Sequence, residues 1–230
     1  MGNVKHISIV LLISVLLMGG IGWWIDRGNT SVDTSLSDIE ALDGPLSPEA
    51  LEEANPAITN TMNRKAVFTT NKGVVTLELF EDKMPITTGN FIKLAQEGYY
   101  NGTKFHRIID GFMIQGGDPN TKTDNTMSYG TGGPGYTIQD EFVANPLLSN
   151  VRGTIAMANT GQPNSGGSQF FINTVDNVGL DFDKEPLSSK HPVFGRVVDG
   201  MDIVDAISAV ETGARDLPVE PVVIEKLEIQ

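Results

Sequence analysis

FHRIIDGFMIQGGD, residues 105–118, sets one arginine, Arg107, among Phe105, Ile108, Ile109, Phe112, Met113 and Ile114. A strand with one buried face alternates apolar and polar positions, so the phase of the polar exceptions decides what the arginine faces. Asp110-Gly111 is a strong hairpin turn signal. A two-residue turn would pair Ile109 with Phe112 and Arg107 with Ile114. A three-residue loop, Asp110-Gly111-Phe112 with the glycine left-handed, moves the register by one: Arg107 then faces Gln115, and Ile109 faces Met113. A one-residue slip sends every side chain to the other face, so only one register can hold. The three-residue loop is favoured because it gives the guanidinium a polar neighbour and leaves Phe112 leaning over the same surface. From this stretch alone two meanings stay open. It is either a core hairpin whose arginine snorkels to water, or a binding or catalytic face.

Outward from the hairpin, residues 64–230 read as strands, turns and two helices. KAVFTT (65–70) and VVTLELF (74–80) flank Asn71-Lys72-Gly73 as a second hairpin. MPITTGNFIKLAQEG (84–98) reads as a helix, with Pro85 near its start, Phe91, Leu94 and Ala95 at helical spacing, and Gly98 as its stop. After the central hairpin comes GDPNTKTDNTMSYGTGGPGY (117–136), too long for a simple connection and of the kind that is often functional. GTIAMAN (153–159), SQFFINT (168–174) and PVFGRVV (192–198) read as buried strands, GMDIVDAISAV (200–210) as the second helix and PVVIEKLEI (221–229) as a closing strand. Many strands, two helices and no β-α-β alternation argue for an antiparallel barrel.

Composition removes several chemistries. With 16 Lys+Arg against 29 Asp+Glu, a net charge of −13 and no basic patch, nothing is set to meet nucleic-acid phosphates. The absence of cysteine excludes disulfides, thiolate nucleophiles and Cys-based zinc sites. Gly132, Gly133 and Gly135 are not followed by the Lys-Ser/Thr of a phosphate loop. DPNTKTDN (118–125) fails as a calcium loop, with Pro119 at its second position and no glycine at its sixth. Ser168 is no nucleophile elbow, because Phe170 stands where glycine is required. His106 reads as a satisfied structural histidine. No metal and no cofactor are expected.

The N-terminus is of another kind. Nineteen residues from Ile7 to Ile25 carry no charge. As a helix they would span about 28 Å, close to the roughly 30 Å hydrocarbon core. Trp23 and Trp24 stand at the far end, where amphipathic aromatics favour the interface, and no small-residue cleavage site follows. Residues 1–25 are therefore expected to be an uncleaved single-pass signal-anchor in the cell membrane, with the domain outside the cytoplasm. Residues 26–63 carry eight acidic side chains against Arg27 alone and read as a self-repelling stalk.

With these pieces in order, residues 65–229 resemble a cyclophilin-type peptidyl-prolyl cis-trans isomerase. FHRIIDGFMIQGGD, YGTGGPGY, TIAMAN, GGSQFFIN and HPVFGRVVDGMDIVDAI carry the likeness. The resemblance implies a mainly β fold, a closed eight-stranded antiparallel barrel capped by two helices, acting as a monomeric domain on proline-containing polypeptides. It also implies the site. Arg107 would donate toward the prolyl nitrogen with Gln115 fixing its orientation, and Phe112, Met113, Phe171 and Leu180 would hold the proline ring. Ala158 and the backbone of Asn159 would hold the peptide, with Gln169 and His191 at the edge. Where many members carry an aromatic residue before the pocket leucine, this chain has Gly179, which implies weak binding of the family's inhibitor cyclosporin unless Phe182 folds back. The rivals are a proline-peptide-binding module without turnover and a tethered scaffold; the joint presence of Arg107, Phe112 and Gln115 favours the enzyme.

Overall fold

The computed structural model describes residues 63–187 and 189–230. The expected membrane anchor and nearly all of the stalk lie outside them, and among the described residues no helix is long and apolar enough to cross a membrane.

Nine strand segments form one antiparallel sheet: β1 (Lys65–Thr70), β2 (Gly73–Leu79), β3 (Thr103–Phe105), β4 (Arg107–Ile109), β5 (Met113–Gly116), β6 (Thr154–Met157), β7 (Phe170–Asn173), β8 (Val193–Asp199) and β9 (Val222–Ile229). Their order is β3-β9-β1-β2-β8-β6-β7-β5-β4. The two ends of that order, β3 and β4, are consecutive in the chain and separated by His106 alone. Phe105 pairs with Val222 on one side of the break, Arg107 with Gln115 on the other, and the His106 N–H donates to the Gln115 carbonyl at 3.0 Å. The sheet is thus nearly closed by one strand bent at a single residue, which reconciles nine segments with the expected eight strands. Closure removes edges that would otherwise be free to pair with other chains.

Inward-facing aromatics fill the barrel. Phe68, Phe91, Tyr100, Phe170 and Phe194 are buried, with ring centroids 5.1 Å apart for Phe91–Tyr100, 5.3 Å for Phe91–Phe194 and 5.6 Å for Phe68–Phe170. Such pairs contribute about 0.5–1.5 kcal/mol each beyond the area they bury.

Helix α1 (Pro85–Gln96) brings Phe91 to that cluster, and the first residue after its cap, Gly98, is left-handed at φ +69°. Its own N-cap residue, Met84, supplies no side-chain acceptor. Glu141 takes that part from a distant loop, accepting from the N–H groups of Ile86 (3.1 Å) and Thr87 (2.9 Å) and from Thr87 Oγ1 (2.9 Å). A carboxylate there also complements the positive end of the helix dipole. Helix α2 (Met201–Ser208) buries Val204 and Ile207. It starts at Gly200, φ +82°, where a Cβ would run into the Val74 carbonyl.

The long segment 117–136 is tightly organised. Buried Asp118 accepts from the N–H of Asn120 (2.7 Å) and from that of Gly130, while Asn120 Nδ2 donates to the Ser128 carbonyl at 3.1 Å. Tyr136 donates its hydroxyl to Asn90 Oδ1 on α1 at 2.9 Å. This bonding sets the Gly130 and Gly132 carbonyls beside the β4–β5 hairpin.

Candidate active site

The hairpin adopts the three-residue loop. Arg107 pairs with Gln115 and Ile109 with Met113, Gly111 is left-handed at φ +66°, and the Phe112 N–H donates to the Ile109 carbonyl at 3.1 Å. Ile108 and Ile114 therefore point into the core, and Arg107, Ile109, Met113 and Gln115 share the other face. The pairing runs on, Gln115 to Phe171 and Phe171 to Ala156, so Arg107, Gln115 and Phe171 stand in one row across three strands. Met113 and Phe171 are buried within that face, whereas Arg107 and Gln115 are half-buried. A cation and an amide border an apolar floor.

The guanidinium is held otherwise than expected. Gln115 does not bond to it: Gln115 Nε2 donates to Gln169 Oε1 at 3.0 Å, and Gln169 Nε2 donates in turn to the Gly132 carbonyl (2.8 Å) and the Gly130 carbonyl (3.1 Å). Arg107 Nε donates instead to Asp216 Oδ2 at 3.4 Å. A carboxylate is the stronger acceptor for a cationic donor than a neutral amide, which accounts for the exchange of partners.

His191 and Ala158 adjoin this row through Phe171 and Gln169. His191 meets Phe171 edge-on, centroids 5.3 Å apart at 82°, and its N–H donates to the Leu180 carbonyl at 3.0 Å. His191 Nδ1 lies 3.1 Å from the Met157 carbonyl; a carbonyl only accepts, so this nitrogen carries the proton. The Ala158 N–H donates to the Gln169 carbonyl at 3.0 Å. Asn159 uses its side chain locally, donating to the Lys190 carbonyl (2.7 Å) and accepting from the Gly161 N–H (3.0 Å). Among the described residues its backbone N–H and carbonyl have no partner. A cavity of about 460 Å³ between Gln115, Gly132, Ala158, Asn159 and Gln169 adjoins this edge, and a second of about 320 Å³ lies between Arg107, Gln115, Tyr129, Arg215 and Asp216. Gln115 is a wall of both.

Sequence reading missed the residues that hold these in place. Buried Asp181 accepts from Ser149 Oγ (2.6 Å), the Asn150 N–H (2.7 Å) and Asn150 Nδ2 (2.9 Å). Asn150 Nδ2 also donates to the His191 carbonyl at 3.0 Å. Asn177 Nδ2 donates to the Phe112 carbonyl (2.8 Å) and to Asn173 Oδ1 (2.8 Å). The Asp181 and Asn177 bonds tie the Leu180–His191 wall and the Phe112 loop to the barrel. The only signal in the sequence was a density of Asn and Asp between buried strands. Phe182 does not fold over Gly179 but stacks on Phe142, centroids 5.4 Å apart at 22°. The neighbours of Gly179 are the Glu185 carbonyl and Pro186 Cδ, 3.7 and 3.8 Å from where its Cβ would sit.

His106 corrects another expectation. It is buried, its ring nitrogens make no hydrogen bond of good geometry among the described residues, and the Lys104 backbone lies near enough to favour its charged form. Burial holds its pKa below the ordinary histidine value of 6.5, opposed by the Asp118 carboxylate, and burial likewise lowers His191 against the Met157 carbonyl. Both folded pKa values lie below the unfolded one, so the unfolded chain binds protons first as pH falls. Stability from this source is complete above about pH 6.5 and lost as pH drops through the folded values. The melting temperature is expected to fall as pH drops below about 6.5, and His106→Gln should make that fall shallower. An unchanged slope by calorimetry would count against burial of an uncharged imidazole.

Residues 65–229 match the family model described as cyclophilin type peptidyl-prolyl cis-trans isomerase/CLD. The chain belongs to the cyclophilin family. It is 46% identical over 169 residues to peptidyl-prolyl cis-trans isomerase B of Escherichia coli (strain K12), covering 70% of this chain and 97% of that protein. It is 42% identical over 161 residues to peptidyl-prolyl cis-trans isomerase-like 1 of Homo sapiens, covering 68% and 87%. Among solved structures, a Cryptosporidium parvum cyclophilin-type isomerase crystallised in the presence of the dipeptide Ala-Pro superposes with a TM-score of 0.61 at 31% identity, covering 72% of this chain and 98% of that one. This cyclophilin is a peptidyl-prolyl cis-trans isomerase.

Proposed function

We propose that this cyclophilin isomerises X-Pro bonds of polypeptides folding outside the cytoplasm, tethered by residues 7–25, with Arg107 as the group that acts on the amide. The observation carrying the site assignment is the state of the guanidinium. Its Nε edge is engaged by Asp216, it is 43% exposed, and it borders buried Met113 and Phe171. A prolyl bond resists rotation because nitrogen shares its lone pair with the carbonyl. A donor aimed at that nitrogen favours the twisted form, in which the lone pair has returned. Phe112, Met113, Phe171 and Leu180 hold the ring, Ala158 and the Asn159 backbone hold the peptide, and Gln115, Gln169 and His191 form the walls. An Ala-Pro peptide, the ligand named for the Cryptosporidium protein, is the first substrate to test, by exchange NMR with the full-length chain in detergent. No acceleration of exchange would reject the assignment. For the tether, external protease on intact cells should release a soluble domain from a membrane-bound stub; a protected domain in permeabilised-envelope cells would place it inside.

Gly179 bears on inhibition. Pro186 gives that rim some apolar surface but no hydrogen-bond donor. Cyclosporin is therefore expected to inhibit this isomerase weakly while Ala-Pro peptides still turn over. Gly179→Trp, whose Cβ meets only ordinary contacts, should tighten the inhibitor by roughly 1–3 kcal/mol. Nanomolar inhibition of the unmodified enzyme in a turnover titration would overturn this.

A further inference from the structure

We propose that Asp216 is a positioning residue for the isomerase reaction: it clamps the Nε edge of Arg107 so that the Nη hydrogens are presented to the prolyl peptide. This rests on Arg107 being the group that acts on the amide.

The backbone around Asp216 is unusual. Arg215 (φ +64°) and Asp216 (φ +58°) are two successive non-glycine residues in the left-handed region, which costs roughly 1–2 kcal/mol per residue. Such strain persists where the surroundings over-determine it, and it clusters at functional sites. Here the surroundings are explicit. The loop is closed at its neck by the Gly213 N–H donating to the Leu217 carbonyl (2.8 Å) and the Val219 N–H donating to the Glu211 carbonyl (2.9 Å). Arg215 Nη2 reaches across to the Thr126 carbonyl at 2.7 Å, fastening the loop to the 117–136 segment. The outcome of that bracing is a carboxylate held at the edge of Arg107, on the rim of the 320 Å³ cavity. Among the described residues Asp216 has no other side-chain hydrogen-bond partner.

The chemistry needs such a brace. A free arginine side chain carries about 2 kcal/mol of rotamer entropy, but the guanidinium is planar, so fixing one edge fixes the direction of the other. Gln115, the residue adjacent in the ladder, is committed to Gln169 and does not fill this role. A clamp on the donor acts on the rotating amide more than on ground-state binding of the ring, so its loss should appear in kcat.

The test uses the full-length chain in detergent and an Ala-Pro peptide. Asp216→Asn keeps the volume and tolerates the left-handed backbone; Asp216→Gly relaxes that backbone altogether. Both should lower kcat about fivefold, with KM within about twofold and little change in melting temperature. In an Arg107→Lys background, which has no Nε–H, Asp216→Asn should change kcat by less than about 1.5-fold. The Arg107 Nε–H resonance should shift or broaden in Asp216→Asn. An Asp216→Asn enzyme at wild-type kcat, with Arg107→Lys impaired, would overturn the clamp and leave Arg107 standing. Equal losses in both backgrounds would make Asp216 merely structural and overturn it too. Wild-type activity in Arg107→Lys itself would instead remove the assignment of Arg107.

Discussion

Arg107→Ala is expected to lower kcat/KM at least about tenfold, a loss of roughly 1.4 kcal/mol of transition-state stabilisation, in a protein that folds normally. The uncatalysed bond has a barrier of about 18–20 kcal/mol, nearly all of it amide resonance. No nucleophile or metal is needed to lower it; what helps is a donor that stabilises the nitrogen lone pair once the bond is twisted. The apolar floor of Met113 and Phe171 and the backbone of Asn159 remain in the variant, so KM should move less than kcat. Folding should be nearly unaffected, because the side chain is 43% exposed and its one ion pair, with a 46% exposed Asp216, is a surface pair worth about 0–1 kcal/mol. The measurement is exchange NMR or a protease-coupled assay beside circular dichroism. A folded variant within about twofold of wild type would remove Arg107 from the mechanism.

Asp181→Ala should be the most destabilising single change in the site region, by about 3 kcal/mol, or roughly 6–12 °C in melting temperature for a domain of this size. Asp181 is 5% exposed and takes hydrogen bonds from Ser149 Oγ, the Asn150 N–H and the Asn150 amide. Removing the carboxylate leaves donors stranded, Asn150 being fully buried, which costs more than the bonds were worth in place. Since Asn150 also carries the His191 carbonyl and His191 the Leu180 carbonyl, the contact between His191 and Leu180 should loosen and, if they line the proposed pocket, KM should rise. Exposed Asp183, two residues on, is the control and should tolerate alanine. A melting temperature within about 2 °C of wild type for Asp181→Ala would show that the knot contributes little.

Local pattern carried a large part of the fold. Period-two alternation, Asp110-Gly111, the Pro85 start and the Gly98 stop are short-range signals, and both helices and every strand but β3, which the reading ran into the β4–β5 hairpin, fall where the sequence puts them. The hairpin register was legible for the same reason: only one loop length places Arg107 opposite Gln115, and that is the pairing observed. The ten candidate site residues came from runs resembling a known family, and of these the ladder sets Arg107, Met113, Gln115 and Phe171 on one face. What was hidden is the bonding between segments distant in the chain.

The barrel class, the helix bounds and the hairpin register were legible in the chain because each depends on residues within a few positions of one another. That Arg107 is held by Asp216, 109 residues away, and not by Gln115, came from the closing of the barrel. The same closing decided that Asp181 knots the pocket wall, that Glu141 caps α1, and that Phe182 joins Phe142 and leaves Gly179 to Pro186. The physical reason is common to all of these. Asp, Asn and Glu side chains have no periodic signature, and their partners are chosen by whichever charged or buried donor the closed barrel brings within about 3 Å.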